Sequence, residues 1–407
     1  MVELVLKWLR TTYQKTVTSI AFIPAIIALF FLLLSFLMVN FDFSSTGKEI
    51  KSNLHWLSLK DAATARSICT AIVSGIISLA VFSFSMVMIL LNQAASQMSN
   101  RILSKLIGNR FQQFVLGFYI GTIVYGLFLL STIRDINSGI SVPAISTYLL
   151  IALTVFDIFL FIYFLHYITQ SVKFETIIHR IYTNTKEVMK KTCSLAIRPE
   201  DYLFTDIGVK LGAHRSGIYQ GFDREELIAI AKKEDLIITF LYPVGTFVIE
   251  GNPLLILHKQ PDIESIKEKI NVIVNIEKGQ EIDIGYHYGF RQLMEIAIKA
   301  LSPGINDPGT AVLALQALTD LAVYKFDHFA ETTFKDNEGT VRLITKEKTF
   351  KEAFKEYFYP IWDYGKNDRV IQTEMLHALT QLRMKGTEPE AEELYNTVRT
   401  AISNHKI

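Results

Sequence analysis

The sequence predicts an α-helical membrane domain with four transmembrane helices, followed by a cytoplasmic α+β domain that holds a small β module and a mainly helical C-terminal part. Three observations carry that expectation. The 407 residues are 50% hydrophobic and 20% charged, with a formal net charge of +1, yet charges are sparse up to about residue 170 and frequent after it. Four apolar runs, at about 17–39, 68–91, 112–133 and 144–168, are each long enough to cross a ~30 Å hydrocarbon layer as a helix. Beyond them, short β-rich runs bounded by glycine and proline mark strands at about 203–258, and helical periodicity dominates from about 262. The expected boundaries are a four-helix membrane domain over about 1–170, a helix and linker over about 171–202, the β module over about 203–260, and a helical domain over about 261–407.

The first run exceeds a signal-peptide core and is followed by Asn40-Phe41-Asp42 rather than small residues, so it is expected to stay as an anchor. The second is the most informative. Between Ser67 and Ser99 there is no charge, and Ser67, Ser74, Ser78, Ser85, Asn92, Ser96 and Ser99 fall within an arc of roughly 60° on a helix. Apolar Ile72, Ile76, Leu79, Val87 and Leu90 lie opposite. Such a hydroxyl and amide stripe must face other helices or water. In the third run Gly117 and Gly121 form a small-xxx-small pair suited to close helix packing, with Gly126 beyond.

The fourth run carries Asp157, the one charged residue within any of the four, and an acid there must face the bundle or water. His166, between Tyr163 and Tyr167, reads as part of an aromatic belt. Val172, Ile177, Ile178 and Ile181 predict that the fourth helix continues past the membrane, with the linker ending near Arg198-Pro199. Arg101, Lys105 and Arg110 form a basic loop without an acid, and Lys7, Arg10 and Lys15 precede the first run. Although the loop after the first run also carries Lys48, Lys51, Lys60 and Arg66, the bias favours both termini in the cytoplasm of a multi-pass inner-membrane protein. Cys69 and Cys193, the two cysteines, support neither a disulfide framework nor a cysteine metal site.

In the β module, Ser216 to Asp223 reads as strand and turn, Arg224 to Lys232 as a short helix, and Ile237 to Phe240 and Pro243 to Leu254 as further strands. The string from Gly245 to Leu254 (G-x-F-V-x-x-G-x-P-L) resembles the barrel-sandwich hybrid of biotinyl and lipoyl carrier domains and membrane-fusion adaptors. It lacks their Met-Lys-Met tip, so no attached cofactor is expected. Helices are expected over Gly289 to Ala300 and Gly309 to Tyr324, a hairpin around Asp336 to Gly339, and terminal helices over about 350–365 and 370–403.

Between the first two of these helices stands Ala300-Leu301-Ser302-Pro303-Gly304-Ile305-Asn306-Asp307-Pro308. It reads as a rigid connector in which Asn306 or Asp307 caps the second helix and Pro308 opens it. The functional alternative is a contact surface made of Arg291, Glu295, Asn306 and Asp307. This loop, together with Arg291-Gln292-Leu293, Ser216-Gly217-Ile218-Tyr219-Gln220 and Asn92-Gln93-Ala94-Ala95-Ser96-Gln97, resembles the bacterial predicted membrane proteins of the domain-of-unknown-function 2254 type. The resemblance implies four spans near the N-terminus and a cytoplasmic C-terminal domain, and no activity or ligand. Asn100-Arg101 stands where that family's pattern has a Pro-Arg pair.

Near-balanced charge gives no case for nucleic acid as a partner. A P-loop, a dinucleotide fingerprint, a zinc-binding H-E-x-x-H and a G-x-S-x-G elbow are all missing, so an enzyme is not expected, nor is a metal or cofactor. His287, between Tyr286 and Tyr288, reads as a packed aromatic neighbour, and Asp283 nearby does not make a dyad. The leading functional reading is a homo-oligomeric ion channel. Its pore would be lined by Ser74, Ser78, Ser85 and Asn92, with Arg101, Lys105 and Arg110 at the inner vestibule, and its partners would be lipid, further copies of the chain and ions. Packing within one chain explains the same stripe. The alternative function is a membrane-anchored sensor or scaffold that does not conduct.

Overall fold

A computed structural model describes residues 19, 21–53, 59, 61–97, 110–133, 142–199, 208–258, 263–278, 285–386 and 388–404. The chain divides into two units, Met1–Lys173 and Phe174–Ile407. The first contains α1 (Phe22–Phe43), α2 (Ser45–Asn53), α3 (Ala62–Gln97), α4 (Arg110–Thr132) and α5 (Ala144–Ser171). By length and composition α1, α3 over Ala62–Leu90, α4 and α5 are able to cross a membrane.

The glycines of α4 do what their spacing predicts. A Cβ at Gly117 would stand 2.6 Å from Ile27 Cδ1 and one at Gly121 2.7 Å from the Phe31 ring, so α1 and α4 meet where side chains are missing. Phe31, Cys69, Tyr125, Leu129 and Leu150 fill the core beside that contact, and Ile76, Val115, Tyr119, Leu160 and Phe164 form a second cluster.

Helix α1 runs past the apolar stretch to Phe43 and takes Asp42, fully buried, into its last turn. The Asp42 carboxylate accepts from the backbone N–H groups of Ile145 at 3.2 Å and Ser146 at 2.7 Å, and from the Ser146 hydroxyl at 2.6 Å. Helix α5 opens after Pro143 without a side-chain cap of its own. Asp42 therefore caps a helix that begins about 100 residues later in the chain. Lys51 of α2 completes the arrangement, with Nζ 3.1 Å from Oδ1 and donating to the Asp42 carbonyl at 2.8 Å. One carboxylate joins three helices.

The fourth span does not continue as expected. Helix α5 stops at Ser171, and α6 (Phe174–Thr192) starts afresh in the second unit. The hydroxyls of Thr169 and Ser171 donate back to carbonyls of the preceding turn, and the Lys173 N–H turns to Gln170 O, which closes the helix.

The second unit continues with β1 (Val209–Gly212), β2 (Gly217–Phe222), α7 (Arg224–Lys233), β3 (Ile238–Phe240), β4 (Phe247–Val248), β5 (Pro253–Leu257), α8 (Ile263–Ile273) and β6 (Val274–Glu277). Then come α9 (His287–Ala300), α10 (Pro308–Asp327), β7 (Thr333–Lys335), β8 (Val341–Ile344), α11 (Phe350–Tyr357), α12 (Tyr359–Gly365), α13 (Arg369–Lys385) and α14 (Pro389–Asn404). A five-stranded sheet has the order β1-β5-β3-β8-β7, with β3 and β8 parallel, and a three-stranded sheet has the order β4-β2-β6.

No barrel-sandwich closes among the described residues. Strands of the 203–260 stretch are shared between two sheets and pair with β6 and β8 from beyond it. The reason is β5: Leu254, Leu255, Ile256 and Leu257 are all buried, so this strand is covered on both faces and paired on both edges. The turns of the glycine string hold, with Gly245 at φ 93° and Gly251 at φ 80°.

The connector between α9 and α10 is a cap. The Asp307 carboxylate accepts from Thr310 N at 3.1 Å, Pro308 occupies the first turn, and Asn306 takes the left-handed conformation at φ 49°. The two expected terminal helices are each divided. Phe358 separates α11 from α12, which has Pro360 in its first turn, and Gly386 separates α13 from α14, which opens on Pro389.

Because the Asp42 carboxylate is buried and partnered on both sides, Asp42→Ala is expected to cost about 3 kcal/mol, and Lys51→Ala about 1 kcal/mol because the α5 cap survives. Denaturant titration in detergent checks the order; equal stability of Asp42→Ala and the wild type would contradict it.

Candidate functional site

Helix α3 has two sides. Ala65, Cys69, Val73, Ile76 and Ser83 are buried on the side that packs against α4 and α5. Ser67, Ser74, Ser78, Ser85 and Asn92 are all exposed on the other. Among the described residues these five positions of the predicted stripe are left open by their own unit; the side chain of Ser96 and all of Ser99 lie outside what the structure describes. The Ser78 hydroxyl donates to Ser74 O at 3.0 Å and that of Ser85 to Val81 O at 2.9 Å, which leaves each oxygen able to accept from outside. Exposed Ile77, Val81, Phe84 and Met88 flank the hydroxyls, and Val81 lies within their arc, between Ser78 and Ser85. Of the basic residues assigned to the vestibule, Arg110 is exposed at the start of α4, and Arg101 and Lys105 lie outside the described residues.

Asp157 is fully buried on α5. Its carboxyl lies beside the Thr122 hydroxyl of α4, and the Tyr119 hydroxyl lies beside Ser83 of α3. Neither pair reaches hydrogen-bond geometry among the described residues. Ser83 is about half a turn round α3 from Ser74. Asp157 of α5 is thus buried beside α4, on the packed side of the bundle, whereas the serine stripe lies on the exposed side of α3.

Sequence reasoning missed a polar cluster in the second unit. Tyr286 and His287 come from the start of α9, Lys325 from α10, Glu347 from the segment after β8, and Cys193 from just after α6. Glu347 accepts from the Tyr286 hydroxyl and from His287 Nε2 at 2.9 Å, with Lys325 Nζ at 3.5 Å. Lys325 also donates to Tyr286 and stands 3.7 Å from Cys193 Sγ, and His287 Nδ1 lies 3.5 Å from the Tyr357 hydroxyl. His287 is therefore a member of an ionic network, not only an aromatic neighbour. Its partner is 60 residues away, and no short motif could have signalled it. Asp283 lies outside the described residues.

Burial would raise the Glu347 carboxyl, but the hydrogen bond from His287, the Lys325 ammonium and the Tyr286 hydroxyl outweigh it and hold it down at about 2. Burial, aided by Lys325 and Lys348, lowers His287 against the opposing pull of Glu347. Burial also pushes the Cys193 thiol up, which leaves it protonated and unreactive. The cluster is a charge-balanced network of ionised acid, ammonium and neutral ring.

Arg291 and Glu295 pair with each other at 3.3 Å. Asn306, exposed, and Asp307, half-buried and capping, follow the far end of α9, where the Asp307 N–H donates to Ala300 O at 2.8 Å, roughly 8 Å along the axis from Glu295 and roughly 13 Å from Arg291.

A group lowered in the folded state contributes stability that is lost as pH falls. For His287 the loss begins on descending through its ordinary value of 6.5, and for Glu347 between 4.5 and about 2. The melting temperature is expected to fall between about pH 7.5 and 5, and less steeply in His287→Gln. Identical slopes would contradict the lowered His287.

The chain is 25% identical over 344 residues to an uncharacterized protein of Mycobacterium bovis and to one of Mycobacterium tuberculosis, matching 80% of this chain. It spans 65% of the length of those relatives. No solved structure matches. The model of the family described as "Predicted membrane protein (DUF2254)" matches residues 17–381, which takes in all four long apolar helices and most of the second unit. The chain belongs to that family of predicted membrane proteins.

Proposed function

We propose that the protein is a homo-oligomeric ion channel of the bacterial inner membrane, with both termini cytoplasmic and α3 of each subunit lining a shared pore. The observation that carries this reading is the exposure of Ser74, Ser78, Ser85 and Asn92 on a helix whose opposite side packs on its neighbours through Cys69, Val73, Ile76 and Ser83. Packing within one chain is the competing account of the stripe; among the described residues nothing in its own unit covers Ser74, Ser78, Ser85 or Asn92. Rings of hydroxyls replace part of an ion's hydration shell without trapping the ion as a ring of charge would. Val81 would add an apolar ring between two hydroxyl rings, a place for a dewetting gate. Arg101, Lys105 and Arg110 would make the inner vestibule positive and favour anions.

A membrane-anchored sensor or scaffold without conduction draws on one observation of its own. The Ser78 and Ser85 hydroxyls are satisfied by their own helix, which also suits a face turned to lipid.

Cysteine substitution separates the two readings. In a Cys69→Ala, Cys193→Ser background, Ser74→Cys, Ser78→Cys and Ser85→Cys are expected to react with a charged thiol reagent several-fold faster than Phe84→Cys. Uniform protection at all four positions would favour the scaffold. Asp157 sits behind α3, where its role in the proposed channel is in gating. Asp157→Asn is expected to leave unitary conductance unchanged and to shift the pH dependence of opening. A changed unitary conductance would contradict its placement off the axis.

A further inference from the structure

The second unit holds a cleft of about 260 Å³ whose lining includes Lys325 and Glu347 of the polar cluster. The lining is of two kinds. Phe326, Phe329 and Phe350, with the Phe326 and Phe350 ring centroids 4.5 Å apart, join Ala330 and Ile344 to give aromatic and apolar surface. Arg198, Lys346 and Lys348 give cationic groups.

Most charges at the cleft are already matched. Glu347 is engaged by Lys325, His287 and Tyr286, and Lys348 pairs with Glu356. Arg198 and Lys346 are exposed and have no ion pair among the described residues, against the one lining carboxylate left, that of Glu388. Counting Glu356, outside the lining, against Lys348, the described residues leave one positive charge in excess at the cleft. Hydroxyls of Thr332, Thr345 and Thr349 add polar groups to the lining.

Small-molecule sites combine apolar surface with convergent polar groups; this cleft, just under their usual volume and with more polar than apolar lining residues, suits a small charged ligand. A cation excess beside three aromatic rings selects a ligand with an anionic head and an apolar body. We propose that this cleft binds a small amphipathic organic monoanion, a carboxylate or phosphate monoester on a single ring system or short acyl body. The head would meet Arg198 and Lys346, and the body would lie on Phe326, Phe329 and Phe350. This site is independent of whether the first unit conducts.

The test is equilibrium dialysis of the full chain in detergent against naphthoate, phenyl phosphate and the neutral naphthamide, with protein-free micelles as blank. Naphthoate or phenyl phosphate is expected to bind saturably at one site per chain, at least about tenfold more tightly than naphthamide. The preferred anion identifies the head group. Arg198→Glu and Lys346→Glu, at exposed positions, are each expected to weaken it about tenfold, and Lys335→Glu, an exposed lysine outside the cleft, to leave it unchanged. Thr332→Phe, which fills the cleft, is expected to abolish saturable binding while the melting temperature stays near that of the wild type. Absence of saturable binding by both anions would overturn the proposal. So would equal binding of naphthamide, or equal effects of Lys335→Glu and Lys346→Glu.

Discussion

Within hydrocarbon a polar group has no water to turn to, so each one must be matched by protein or directed at something wet. That constraint organises the first unit. The N-terminus of α5 would expose bare N–H groups beside Pro143, and Asp42 supplies their acceptor from the end of α1. Lys51 balances the charge this introduces. The same constraint makes the outward face of α3 informative: a helix surrounded only by lipid gains nothing from serines at positions 74, 78 and 85 and an asparagine at 92. Their own backbone bonds make the hydroxyls tolerable in lipid, and in the proposed channel a shared aqueous axis would make them useful.

The second unit is governed by a different economy of burial. Strand β5 is covered on both faces and paired on both edges, so it fixes the larger sheet and draws β8 from far along the chain to the parallel edge of β3. That pairing delivers the segment carrying Glu347 against α9 and α10, where His287 and Lys325 meet it. The ionic cluster is thus a consequence of sheet order, and the cleft that includes Lys325 and Glu347 is lined by the strands and helices which that order brings together.

Much of the first unit was legible because its signals are local. Helical periodicity placed the hydroxyl face of α3, and the four-residue spacing of Gly117 and Gly121 predicted the contact with α1. The cap at Asp307 could be read from the residues beside it. The roles of Asp42 and His287 could not, since each depends on a partner 60 or more residues away. The barrel-sandwich reading failed for a related reason. Its glycine turns are real, but the apolar run at Leu254 to Leu257 signals a central strand, and which strands flank it is decided by distant sequence. The breaks at Val172 and Phe358 are hidden by apolar residues that continue across them, whereas Gly386, three residues before Pro389, is a helix stop that the sequence does signal.

Single-particle imaging of the purified protein tests the central claim most directly. The account predicts a symmetric assembly in which α3 of every subunit borders the axis and presents Ser74, Ser78 and Ser85 to a continuous opening. A monomer, or an assembly whose axis is filled by lipid or bordered by α1, α4 or α5 with the hydroxyls facing outward, would contradict it.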